Sequence, residues 1–188
     1  MNNESHHFSD KDIVTKILDG NIQDFGVVVK NTEKLVAQIV GKLTTHEDDR
    51  KDLVQDIYLK VYQNLSSFQF KSKLSTWVAN IAYNTTINFL QKKRIPLIEI
   101  AETIQDKYIV TENPELVTIK TEAVEILNTE IAKLPPLYKT LITLYHLEEL
   151  PNKEISEITN LPVGTIKSYL YRARKILEEN MNHHYKSK

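Results

Sequence analysis

The stretch that decides the fold is Pro151-Asn152-Lys153-Glu154-Ile155-Ser156-Glu157-Ile158-Thr159-Asn160-Leu161-Pro162-Val163-Gly164-Thr165-Ile166-Lys167-Ser168-Tyr169-Leu170-Tyr171-Arg172-Ala173-Arg174. It reads as a short helix near Lys153–Thr159, a turn of about four residues and a last helix from about Pro162 to Asn180, which is a helix-turn-helix. Asn160 suits the left-handed residue that closes the first helix. Pro162 stands where the second should begin. In that second helix Ile166, Leu170, Ala173 and Leu177 form a narrow apolar stripe at 100° per residue. Lys167, Ser168, Tyr171, Arg172 and Lys175 take the remaining face. From Val163 to Leu177 there are four basic residues and no acid. A helix of this kind enters the major groove, where Arg and Lys donate to guanine edges and phosphates. A basic surface helix of an ordinary bundle is the plainer alternative. The small residues Gly164, Thr165 and Ser168 at the helix start and the missing acids favour DNA reading.

Upstream, Thr121–Leu134 has helical periodicity, Pro135-Pro136 breaks it, and Leu137–Leu147 resumes it. Residues 95–121 are acidic, lack a strong apolar period and carry Pro96 and Pro114, as a linker does. Further upstream the pattern is again helical. Ser9 is placed to cap a helix ending at Asp19, with Gly20 as its stop. Longer helices are expected at about Ile22–Leu43, Asp48–Leu65 and Ser75–Arg94, with a loop at Ser66–Leu74. The fold class is therefore all-α: two small helical domains, residues 1–94 and 122–188, on a flexible linker.

A second acid-free segment lies in the first domain. Residues 57–94 carry six basic side chains, Lys60, Lys71, Lys73, Lys92, Lys93 and Arg94, and no acid, whereas residues 1–56 have net charge −4. The loop holds Phe68, Phe70, Lys71 and Lys73. The following helix is expected to bury Trp77, Val78, Ile81, Thr85 and Phe89, and to turn Thr76, Asn80, Tyr83, Asn84, Ile87 and Gln91 the other way. Amides, an aromatic and lysines suit an unpaired strand, whose bases stack on rings and bond to amides while lysines meet phosphates. Phe68 and Phe70 suit core and exposed platform equally. The preceding Asp52-Leu53-Val54-Gln55-Asp56 has its acids early in a helix, which favours the helix dipole and also suits a docking face.

The whole chain has 188 residues, 24 basic and 25 acidic, net −1, so bulk charge does not announce a polyanion binder; two separate acid-free segments do. Four glycines and six prolines argue against a turn-rich β-sandwich. With no cysteine, disulfides, iron–sulfur clusters and thiolate zinc sites are excluded. The pairs His6-His7 and His183-His184 lie near the termini, and no metal, cofactor or catalytic motif is expected. No apolar run or leader pattern points to a membrane, so a cytoplasmic protein is expected.

These motifs carry a resemblance to bacterial RNA polymerase sigma factors of the sigma-70 family, in the extracytoplasmic-function group. It spans about residues 20–94 and 122–180. The strongest pieces are Asp52–Asp56, Ser75-Thr76-Trp77 with Ile81–Thr85, Leu134-Pro135 and Pro162–Ser168 with Arg172–Arg174. The resemblance implies that Asp52, Leu53, Gln55, Asp56 and Leu59 bind the clamp helices of the polymerase β′ subunit. It implies that Phe68, Phe70, Lys71, Lys73, Asn80, Tyr83, Asn84, Lys92 and Lys93 hold melted −10 DNA. It implies that Lys153, Thr165, Lys167, Ser168, Tyr171, Arg172, Arg174 and Lys175 read the −35 duplex, with the same domain touching the β flap. Promoter DNA, core polymerase and an anti-sigma factor are the partners implied, with no catalytic chemistry and no membrane insertion. The family pattern has Arg-Gly-acid after Phe68, a basic residue at Asn80 and another at Tyr169; this chain departs at all three. The competing reading is an autonomous helix-turn-helix regulator, which leaves the Lys71–Arg94 surface unexplained.

Overall fold

The computed structural model describes residues 9–93 and 122–186. The expected linker, 95–121, lies outside them, as do Arg94 and the pair His6-His7. Eight helices carry the described fold: α1 (Asp10–Leu18), α2 (Phe25–Leu43), α3 (Glu47–Asn64), α4 (Leu74–Lys92), α5 (Glu122–Lys133), α6 (Pro136–Ile142), α7 (Asn152–Thr159) and α8 (Val163–Lys186). No strand occurs among the described residues.

Each end has a local cause. The Ser9 side chain accepts from the Asp12 amide while Asp12 reaches back to Ser9, a capping box. Gly20, at φ +103, turns the chain after α1. A 3-10 turn at Ile22–Asp24 leads into α2, so the expected helix from Ile22 begins three residues late. Arg50 donates to the Thr44 carbonyl at 2.9 Å and so clasps the α2–α3 turn. The α4 start is capped from a distance: the Leu74 amide donates to Asp10 of α1 at 2.7 Å.

In the first unit α2, α3 and α4 pack around Val36, Ile39, Val40, Leu53, Ile57, Val61, Val78 and Ala82. In the second, α6, α7 and α8 pack around Leu141, Leu144, Ile155, Ile158, Ile166, Leu170 and Ala173. The expected apolar stripe of the last helix, Ile166, Leu170, Ala173 and Leu177, is buried. The expected helix Leu137–Leu147 is α only to Ile142. Thr143–Leu147 widens into a π turn in which the Glu148 amide reaches the Thr143 carbonyl at 3.0 Å. The two units also meet each other. α6 lies on α2, and α7 lies on α4.

That second contact corrects the sequence reading of α4. Thr76 and Tyr83, expected on the open side, are buried. Trp77, Ile81 and Phe89, expected inside, are only half-buried against the core. α4 is covered on two sides, by α2 and α3 and by α7, so no single apolar stripe describes it.

Candidate nucleic-acid interface

The helix-turn-helix is built as its residues demand. The α7 helix closes at Asn160, with φ 57 and ψ 18, and the Asn160 amide donates to the Ser156 carbonyl at 2.9 Å. The Ser156 hydroxyl donates across the turn to the Leu161 carbonyl at 2.6 Å. The Pro162 carbonyl then takes the first bond of α8, from Ile166. With the apolar stripe anchored, α8 turns Lys167, Ser168, Tyr171, Arg172, Arg174 and Lys175 outward; all six are exposed, as is Lys153 on α7. Tyr171 is 67% exposed. Thr165 is half-buried at the helix start. Arg174 is held in place: its Nε donates to His146 Nε2 at 3.3 Å, and its guanidinium lies 5.3 Å from the Tyr145 ring centre. Burial first, and then the Arg174 charge, keeps the His146 imidazole below its ordinary pKa and so neutral as an acceptor.

The loop before α4 separates the two phenylalanines that the sequence left open. Phe68 is buried, 5.3 Å from Trp77 between ring centres. Phe70 is 46% exposed, on left-handed backbone at φ 55, with its ring 4.7 Å from Phe68. A bulky residue there is an outlier that costs about 1–2 kcal/mol. Phe68 therefore supports, and Phe70 presents a ring face. Lys71 and Lys73 are exposed beside it, and Lys92 is exposed at the far end of α4. Lys93 leans the other way, 2.8 Å from Asp49 and over the Phe89 ring.

Asn80, Tyr83 and Asn84 sit together on α4, but under α7. Asn80 Nδ2 donates to the carbonyls of Glu157 and Ile158, both at 2.9 Å. Asn84 donates to Asn80 at 3.1 Å and accepts from Asn160 at 3.3 Å. Tyr83 is buried, and burial, with Tyr169 nearby, pushes its hydroxyl up to about 12. Thr76 and Glu154, absent from the sequence-based site, complete the contact: Thr76 Oγ1 donates to Glu154 Oε1 at 2.6 Å, and Lys73 pairs with Glu154 at 3.1 Å. No local signal could have joined residues 78 positions apart.

On α3, Asp52, Gln55, Asp56 and Leu59 are exposed along one side, and Leu59 is 55% exposed. Leu53 is 4% exposed and packs in the core with Ile57 and Val61, so it is not on that outward face. Asp56 already holds Lys60 at 2.7 Å. Gln55 borders a groove of about 490 Å³ between α2 and α3, with Ala37, Val40, Gly41 and Val54 in its lining.

Comparison with known proteins decides between the readings. The sequence pattern of Sigma-70 region 2 matches residues 28–95, and that of Sigma-70, region 4 matches residues 125–177. The ECF RNA polymerase sigma-E factor of Haemophilus influenzae is 31% identical over 185 residues, covering 94% of this chain and 97% of the relative. This chain belongs to the extracytoplasmic-function group of the sigma-70 family. It is a sigma subunit that directs transcription initiation. The ECF sigma factor SigW of Bacillus subtilis is 29% identical over 176 residues, 89% of this chain and 94% of that protein. In fold, the sigma factor resembles RpoE in its complex with the anti-sigma factor NepR from Bartonella quintana. The TM-score is 0.66 at 21% identity, over 85% of this chain and 98% of that one. It also resembles CnrH in complex with the cytosolic domain of CnrY, at TM-score 0.63 and 19% identity, over 93% and 97%. Among the described residues, no helix of the sigma factor is long and apolar enough to cross a membrane.

Proposed function

We propose that residues 1–94 bind core polymerase and capture the −10 element, that residues 122–188 read the −35 element, and that residues 95–121 link them. The observation that carries this is the pair of separate donor faces, each on the family region that matches it. The outer face of α8 offers Lys167, Ser168, Tyr171, Arg172 and Lys175 with Arg174 braced by His146. The α4 side offers Phe70, Lys71 and Lys73 in the open, with Asn80, Tyr83 and Asn84 beside them beneath α7.

The proposed order follows from those faces. α8 enters duplex DNA and supplies register and part of the sequence reading. The α4 side then takes non-template bases, and their binding offsets the few kcal/mol that unstacking a base costs. Melting by this route needs no nucleotide hydrolysis. Asp52, Gln55, Asp56 and Leu59 on α3 meet the β′ clamp helices, the second domain touches the β flap, and the chain works in the cytoplasm where the polymerase is. An anti-sigma factor is the expected protein regulator, in keeping with the complexes of the two fold relatives. The subunit brings binding surfaces and no catalytic group of its own. At net charge −1 the free chain is not expected to hold promoter DNA tightly.

The test is transcription by bacterial core polymerase on fragments of the source genome, with and without this protein. Discrete new start sites that need the protein, with shared sequence upstream, are the expected result. Tight site-specific duplex binding without polymerase, and no new starts, would favour an autonomous regulator.

A further inference from the structure

The guanidinium of Arg174 is held from outside its own helix, by two residues of the π turn. His146 Nε2 accepts from Arg174 Nε at 3.3 Å, and the Tyr145 ring centre lies 5.3 Å from the guanidinium carbon. The two rings steady each other, nearly perpendicular at 83° with centres 4.9 Å apart. π turns are rare and gather at functional sites. Among the described residues the terminal guanidinium nitrogens of Arg174 have no partner. Four of the five N–H groups therefore stay available on the exposed face. His146 is itself exposed, so protons from solvent reach it.

We propose that Tyr145 and His146 position Arg174 for the −35 duplex, and that the His146 bond makes this reading sensitive to protons: neutral imidazole holds the guanidinium at the face, and imidazolium releases it. The inference rests on the proposed −35 role of α8. A long side chain fixed in advance has less freedom to lose on meeting DNA, so the brace sharpens the contact. Its chemistry follows from donors and acceptors. Arg174 can only donate, so the nitrogen that meets it must carry a lone pair. With Nε2 accepting, the proton of the neutral ring sits on Nδ1. A second proton takes the Nε2 lone pair, turns the acceptor into a donor and sets two cations side by side. Burial, and then the Arg174 charge, hold the imidazole below its ordinary value of 6.5. The brace is therefore complete at neutral pH and is lost only below that value. The surroundings leave Arg174 in control. The π turn packs on α6 and α7. Their charged groups are Lys139, close to Lys42 and Arg50 of the first unit, and Lys153, Glu154 and Glu157, with Glu154 occupied by Lys73 and Thr76. Beside the turn, Glu148 is occupied by Lys34, and Glu149 follows it. The α8 face adds Lys167, Arg172 and Lys175. Of all these charges, Arg174 is the one that acts on the imidazole.

The test measures holoenzyme affinity for a mapped promoter and for the same promoter with its −35 element scrambled. The ratio of the two is the −35 selectivity, and it cancels the general effect of pH on polymerase. Between about pH 7.5 and about pH 5.5, wild-type selectivity should fall about fivefold, the low end of what losing an arginine contact costs. His146→Gln keeps an acceptor oxygen and does not titrate, so its profile should be flat. His146→Phe has no acceptor and should be low and flat across the range. A second readout needs no DNA. The chain has six histidines, and the NMR signal missing from His146→Gln identifies this one. Its titration midpoint should move up in Arg174→Ala, because a cation beside it is gone. A flat wild-type profile, or the same acid loss in His146→Gln, would overturn the inference. So would selectivity that rises in acid, which would make His146 a direct phosphate contact. Absent −35 selectivity at every pH would remove α8 from −35 reading and the inference with it. The NMR comparison distinguishes that failure, because the imidazole midpoint still moves with Arg174→Ala.

Discussion

Arg172 and Arg174 stand two residues apart on α8 and do different work. Arg174 is braced by a neutral His146 and by the Tyr145 ring, which fixes its guanidinium at the edge of the face. Arg172 is exposed on the outward side, next to Tyr171. A side chain so placed is free to meet a base edge. Arg172→Ala should therefore weaken −35-dependent initiation by about 1–3 kcal/mol, relaxing preference at one position of the element. The check is start-site usage across −35 variants, and an unchanged response would remove Arg172 from the reading set. The residue scale also shows where sequence reading stops. Lys167, Ser168, Tyr171 and Arg172 were legible because one buried stripe fixes where every other α8 side chain points. Phe68 and Phe70 were not, because only the left-handed backbone at Phe70 decides which ring goes in and which stays out.

At the scale of elements, the helix-turn-helix depends on one backbone conformation. Asn160 closes α7 at φ 57, a region open to Asn and Gly and costly for a β-branched residue. Asn160→Val should lower stability by about 1–2 kcal/mol, a fall in melting temperature of roughly 2–8 °C for a chain of this size. Asn160→Gly keeps the turn and loses only the side-chain bonds to Asn80 and Asn84, so it should melt closer to wild type. Thermal unfolding of the two variants side by side is the measurement. Equal losses would mean that the side-chain bonds, not the backbone, set the value of this residue. Asn160 and Pro162 were readable in advance because turns are local. The amphipathic reading of α4 was not sound, because a helix packed on two sides has no single apolar face: buried Thr76 bonds Glu154 of α7, and buried Tyr83 has Tyr169 of α8 nearby.

For the whole molecule, the sequence established two helical units and left their arrangement open. Nothing in the pattern near Lys34 announces Glu148, 114 positions away, yet the two side chains pair and join α2 to the other unit. Glu148 is mostly covered, with 14% of its side chain exposed, and Lys34 is 74% exposed. A pair so placed gains little energy, yet it can report whether the units are docked. A double-mutant cycle with Lys34→Ala and Glu148→Ala should give a coupling of about 0.2–1 kcal/mol in urea unfolding of the free chain. The two residues lie in different units, so undocking abolishes that coupling while leaving each unit folded. The pair Lys51 with Glu47, one turn apart on α3, provides the contrast: its coupling is local and should be insensitive to docking. Repeating both cycles in the Glu154→Gln background separates the cases. Loss of the Lys34–Glu148 coupling with the Lys51–Glu47 coupling retained would show that Glu154 helps hold the units together. A Lys34–Glu148 coupling of zero in the otherwise native chain would mean that this ion pair does not form in solution.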